Sequence, residues 1–111
     1  MKSSNILEDA ADYIEQHGWC QQDYFNANGN VCTQGAIMAV RTRYEADNIN
    51  IYSTSNDIDT ITEAFLEALD QVSLFVGDAV SLWNDDPDRT KEEVVKTLRK
   101  VAEVARQCES E

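Results

Sequence analysis

The sequence predicts an all-α fold: a single helical domain, residues 1–111, packed as a compact bundle of four or five helices. Three observations carry that expectation. Apolar residues recur at spacings of three and four along four separate segments. The 111 residues are 42% hydrophobic, enough for one modest core. The single proline falls in a polar turn rather than inside a periodic segment. No internal repeat and no second domain is visible.

Residues 4–17 predict the first helix, because Ile6, Leu7, Ala10, Ala11 and Ile14 share a stripe. Ser3 or Ser4 is its expected cap and Gly18 its expected stop. Glu8, Asp9, Asp12 and Glu15 lie mostly off that stripe. Residues 19–30 predict a connection with a turn at Asn26-Ala27-Asn28-Gly29-Asn30, anchored by Trp19, Tyr24 and Phe25. Trp19 is expected to fold back on the core, since a large exposed apolar ring is costly.

Residues 31–44 predict the second helix, with Cys32, Ala36, Ala39 or Val40, and Tyr44 on one face. Gly35, Ala36 and Ala39 suit close approach of another helix, which suggests a buried central element. Residues 45–56 are polar and irregular, with a weak extended signal where Ile49 and Ile51 alternate with Asn.

Residues 57–83 are helical throughout in pattern, through Ile58, Ile61, Phe65, Leu69, Val72, Val76, Val80 and Trp83. One helix of that length spans about 40 Å, long for a small domain, so a break between Asp70 and Gly77 is expected. Residues 84–90 form a turn, and Thr90 with Glu93 matches a capping box. Residues 91–107 predict the last helix, with Val94, Leu98, Val101, Ala105 and Cys108 as its seam.

The net charge of −12 is unevenly spread. Residues 1–90 hold 16 acidic and four basic residues, and residues 91–111 hold five of each. A surface this negative repels phosphate backbones, which argues against direct nucleic-acid binding and suits a basic partner. No apolar run reaches the roughly 18 residues of a membrane span. The start, Met1-Lys2-Ser3-Ser4-Asn5, leads into Glu8 and Asp9 without the apolar run of a secretory signal. A cytoplasmic protein with reduced Cys20, Cys32 and Cys108 is expected.

Three ordered elements stand out: Gly18-Trp19 after the first helix, Cys32-Thr33-Gln34-Gly35-Ala36, and Trp83-Asn84-Asp85 before the last helix. In this order the chain resembles a family of uncharacterised small proteins of actinobacteria and their phages, a domain of unknown function. The resemblance marks Trp19, Cys32, Gly35, Trp83, Asn84 and Asp85 as candidate motif residues. It implies an accessory, often phage-linked protein, and it transfers no catalytic residue. The Asn- and Ile-rich stretch 48–56 departs from the family's composition, which bears on source more than on fold.

Each chemical reading competes with a structural one. Trp83-Asn84-Asp85 could present a carboxylate and an amide to a ligand. Equally, Trp83 can plug the core, Asn84 take a left-handed cap, and Asp85 or Asp86 cap a turn. His17, Cys20, Cys32 and Cys108 match a Cys₃His zinc set in type but not in spacing. As small apolar groups, Cys32 and Cys108 also fit a core. Cys20 near His17 lacks the third orienting group that a nucleophile needs. Asp86, Asp88 and Thr90 alternate as calcium ligands do, without the required glycine. No metal, cofactor or catalytic residue is assigned.

The remaining candidate is an acid stripe. Asp59, Glu63, Glu67 and Asp70 step by 4, 4 and 3, and no basic residue lies between Asp57 and Asp88. Like charges at these spacings cost about 0.2–0.5 kcal/mol per pair. Acid runs are usually solvated faces. The functional reading is that the stripe, with the acids of the first helix, docks a basic protein surface. A non-catalytic interaction module, in the manner of a phage-encoded modulator of a host protein, is therefore expected. The alternatives are a mimic of DNA charge, a thiol- or metal-dependent enzyme, and a self-associating protein using Phe75, Val76 and Trp83.

Overall fold

The computed structural model describes residues 2–109. Five helices follow in order: α1 (Ser3–His17), α2 (Thr33–Asn48), α3 (Ser55–Val76), α4 (Val80–Asn84) and α5 (Lys91–Glu109). Among the described residues there is no strand, only isolated bridges pairing Val31 with Trp19 and with Phe25. The fold is an all-α, single-domain bundle.

The central element is α1, not α2. Ile6, Leu7, Ala10, Ala11 and Ile14 are fully buried, and α1 packs against α2, α3 and α5. The outer half of α2 is largely exposed, including Thr42, Arg43, Ala46, Asp47 and Asn48. Its buried set adds Ile37, off the face read from sequence, to Cys32, Ala36 and Val40. Ala39 and Tyr44 are only partly buried.

Helix ends follow backbone chemistry closely. Gly18 ends α1 at a φ of 89°, its N–H bonding Ile14 O at 2.8 Å. The cap position of α1 is Lys2, without a side-chain bond. Ser3 and Ser4 lie inside the helix and bind Glu109 instead, with Ser4 Oγ donating to Oε2 at 2.6 Å. They therefore tie the two ends of the chain together rather than cap.

The long apolar pattern breaks at Gly77, which takes a left-handed φ of 74° at the end of α3. Glycine adopts this conformation without the Cβ penalty, so the break sits there. The pattern resumes in α4, whose Val80 and Trp83 are buried. Thr54 and Asp57 close a reciprocal capping box on α3. At α5, Glu93 N–H donates to Thr90 Oγ1 at 3.2 Å.

Two expectations fail at the chain's edges. Ile51 and Tyr52 sit exposed in a turn rather than in an extended piece. The α5 seam buries Val94, Leu98, Val101 and Ala105, but Cys108 is exposed. By that last turn, the covering helices no longer enclose the seam.

Candidate functional site

The motif residues converge at one end of the bundle, and Asn84 is their centre. It is 1% exposed, and its side chain is saturated with partners. Oδ1 accepts from Trp19 Nε1 at 2.7 Å, Thr33 N at 2.9 Å and Thr33 Oγ1 at 2.6 Å. Nδ2 donates to Cys20 O at 3.2 Å and Asp85 Oδ1 at 3.1 Å. A buried amide left unpaired is costly, so these bonds fix the 18–32 segment and the start of α2 to the end of α4. Asn84 is thus not a left-handed cap. Among non-glycine described residues, only Gln22 has a positive φ, at 72°.

Asp85 holds that strained residue, its Oδ1 accepting Gln22 N–H at 2.8 Å. Trp83 is buried in the core, and the Arg89 guanidinium covers its ring at 4.4 Å. Arg89 Nε also donates to Trp83 O at 2.9 Å, and Nη1 pairs with Glu93 at 2.6 Å. Asp86 serves the turn by accepting Asp88 N–H.

The Cys-x-x-Gly spacing has its own cause. Cys32 is the N-cap of α2, its sulfur accepting Gly35 N–H at 3.3 Å. The backbone N–H of Cys32 donates to Tyr24 O at 3.2 Å. That same carbonyl presses on Gly35, where a Cβ would lie 2.2 Å from Tyr24 O. Gly35 therefore admits a loop carbonyl rather than another helix. Trp19 packs on the core as the sequence predicts, whereas Tyr24 and Phe25 are half exposed. They anchor the loop through backbone bonds, not through buried rings.

Gln22, Asp23, Tyr24, Cys32, Ser81 and Asp85 line a cleft of about 400 Å³ beside this junction. Burial pushes the Cys32 thiol up, against the lowering effect of the Gly35 and Gln34 N–H groups. Cys20 is also raised, by burial and then by Cys32, Asp23 and Asp85. Thiols held protonated are poor nucleophiles and poor metal ligands. His17 stacks on Tyr13 with centroids 4.2 Å apart. Among the described residues, no group of three or more His, Cys, Asp or Glu side chains is placed to hold a metal ion.

The acid stripe has the opposite character. Asp59, Glu63, Glu67 and Asp70 are all exposed on α3. Among the described residues none of the four forms an ion pair. At about 100° per residue they span an arc of about 80°, and Leu66 lies at its edge. Leu66 is 52% exposed.

The acids of α1 do not extend this surface. Arg99 reaches from α5 to Glu8 at 2.5 Å, Asp12 at 2.9 Å and Glu15 at 2.9 Å. Its hydrogen bond with Asp12 leads the causes that hold the guanidinium well above the usual arginine range. Arg106 adds a contact to Glu8 at 3.8 Å, and Asp9 accepts the Tyr44 hydroxyl at 2.9 Å. Sequence reasoning missed this network because its members are 84 to 91 residues apart. The equal count of acids and bases in the last segment was the available signal.

Among the described residues, no helix is long and apolar enough to cross a membrane. No curated protein and no solved structure matches the chain. A family model described as a family of unknown function, DUF6197, matches residues 1–104, and the chain belongs to that family.

Proposed function

We propose that the protein is a non-catalytic interaction module whose α3 face docks a basic surface on a protein partner. The observation that carries this reading is the stripe: four exposed carboxylates that form no ion pair among the described residues, beside the half-exposed Leu66. Adjacent pairs at these spacings repel by about 0.2–0.5 kcal/mol each, a cost that a docked cation relieves. The acids of the bundle's central helix are engaged internally, so on this reading they add nothing to the docking charge of the α3 stripe. Leu66 supplies an apolar contact within a charged rim, the usual composition of a docking patch.

The motif cluster supports a non-catalytic reading. Its polar atoms bond one another, its thiols are held protonated, and its residues fix a loop. The work belongs in the cytoplasm, in the host cell for a phage-encoded member. A nucleic-acid-binding groove is one basic surface of the required kind, and displacement of the protein by duplex DNA identifies it.

The test is affinity capture from a host lysate with two baits, the native protein and Glu63→Lys with Glu67→Lys. The native bait retains a basic protein, and the reversed bait loses it while keeping its helical circular dichroism. Equal recovery on both baits overturns the proposal.

A further inference from the structure

The junction around Asn84 also brings two cysteines abreast. Val31 pairs with Trp19 in a parallel bridge. In that bridge Val31 N–H donates to Gly18 O at 3.1 Å, and Cys20 N–H donates to Val31 O at 2.9 Å. The next residues along the two segments are Cys20 and Cys32. Trp19 packs on the core and Val31 is fully buried, so both turn their side chains inward. Side chains alternate along an extended chain, so Cys20 and Cys32 share the opposite face. Paired extended segments lie about 4.7–4.9 Å apart, within the roughly 4.4–6.8 Å between Cα atoms that a disulfide spans. Beyond the bridge the Asn84 amide holds the segments together, with Nδ2 donating to Cys20 O at 3.2 Å and Oδ1 accepting from Thr33 N at 2.9 Å.

Both thiols are free and only weakly engaged. Cys20 Sγ donates to Asp23 O at 3.3 Å, and Cys32 Sγ accepts Gly35 N–H at 3.3 Å. Sulfur is a poor donor and a poor acceptor, so neither bond opposes much. The nearness of Cys32 is, after burial, the next cause that pushes the Cys20 thiol up. Cys20 is partly exposed, and Cys32, though buried, lines the cleft of about 400 Å³. A small reagent therefore meets Cys20 at the surface, and Cys32 faces the cleft beside it.

We infer that Cys20 and Cys32 form a site of reversible oxidation that closes to a disulfide by exchange with a small disulfide. The Cys20 thiolate attacks one sulfur of the reagent, forms a mixed disulfide and releases one thiol. Cys32 then attacks the Cys20 sulfur and releases the second thiol. The protein loses two electrons and two protons, and the small disulfide gains them in becoming two thiols. Cys32 gives up its bond to Gly35 N–H, and residues 20–32 become a closed loop against the start of α2. The site does not involve the α3 carboxylates and stands apart from the docking proposal.

The experiment is equilibration of the native chain with mixtures of reduced and oxidised glutathione, at about pH 8.5. The alkaline pH supplies thiolate that burial, with Asp23 and Asp85 nearby, suppresses at neutrality. Samples are acid-quenched, alkylated and cleaved before Asp23, which separates the two cysteines unless a disulfide joins them. The folded protein yields joined fragments, with glutathione on Cys108 alone. Its equilibrium constant for closure exceeds that in concentrated urea by about a hundredfold, the value expected for a cross-link over a loop of about 15 residues. Cys32→Ser, which keeps an N-cap acceptor for α2, stops at the mixed disulfide on Cys20. Separate fragments that each carry glutathione overturn the inference, as does an equilibrium constant no larger in the folded protein than in urea.

Discussion

Helix α1 and the outer face of α3 each present four carboxylates within a span of about three turns. On α1, Glu8, Asp12 and Glu15 converge on Arg99, and Asp9 takes the Tyr44 hydroxyl. On α3, Asp59, Glu63, Glu67 and Asp70 face solvent with no ion pair among the described residues. The helices look alike in charge pattern, and the difference comes from what packs beside them. Basic α5 lies along α1, and its contact with α3 is slighter. Charge on a helix face is thus structural or available according to its neighbour, and only the available kind can serve a partner.

Substitutions can break or sharpen this contrast, because a polar group should matter to stability in proportion to its burial and its partners. Asn84 is the extreme case. Asn84→Leu leaves Trp19 Nε1 and both Thr33 donors without an acceptor. A loss of about 3–5 kcal/mol is expected in urea unfolding. A loss under about 1 kcal/mol shows that the junction is not a network of satisfied buried groups.

Next comes Arg99→Ala, which frees three acids on α1 to repel one another. Its side chain is about one-third exposed, so solvent screens each pair. The expected cost is about 1–2 kcal/mol at low salt, and it shrinks as salt is added. A cost that salt does not reduce points to lost packing instead.

Tyr44 is a smaller effect, visible only at alkaline pH. Burial, and then its bond to Asp9, pushes the phenol up to about 12. The folded protein holds this proton more tightly than the unfolded chain, whose phenol titrates near pH 10. The stabilisation is complete below about pH 10 and is lost as pH rises toward about 12. Tyr44→Phe removes this part of the alkaline decline, read from melting temperatures across that window.

Smallest is the stripe itself. Glu63→Lys with Glu67→Lys breaks no ion pair among the described residues and removes like-charge neighbours, so stability holds or rises by less than about 1 kcal/mol. A clear loss of stability shows that these acids support the fold and sinks the contrast.

The features legible in sequence were those set by neighbours along the chain. Gly18 stops α1, Gly77 breaks the long apolar pattern, and Trp83 reaches the core, each from local chemistry. The expected membership of a family of unknown function is also met, by a match over residues 1–104. What was not legible depends on distant partners. Asn84 read as a helix cap because its acceptor role involves Trp19 and Thr33, 65 and 51 residues away. Gly35 read as a helix contact because a loop carbonyl from Tyr24 leaves no periodic signal. The α1 acids read as free because their cation sits in α5. Cys108 continues the seam's spacing but lies exposed in the last described turn. The stripe acids could be placed on one face from spacing alone, but their lack of cation partners needed the packed structure.

The central claim is that open carboxylates on α3 meet a basic partner. It is tested most directly by titration calorimetry of the captured partner at about 50 mM and about 200 mM salt, with native and charge-reversed protein. The account predicts binding to the native chain that weakens about tenfold or more between the two salts, and no measurable binding to Glu63→Lys with Glu67→Lys. Equal affinity at both salts, or undiminished binding by the reversed protein, contradicts it.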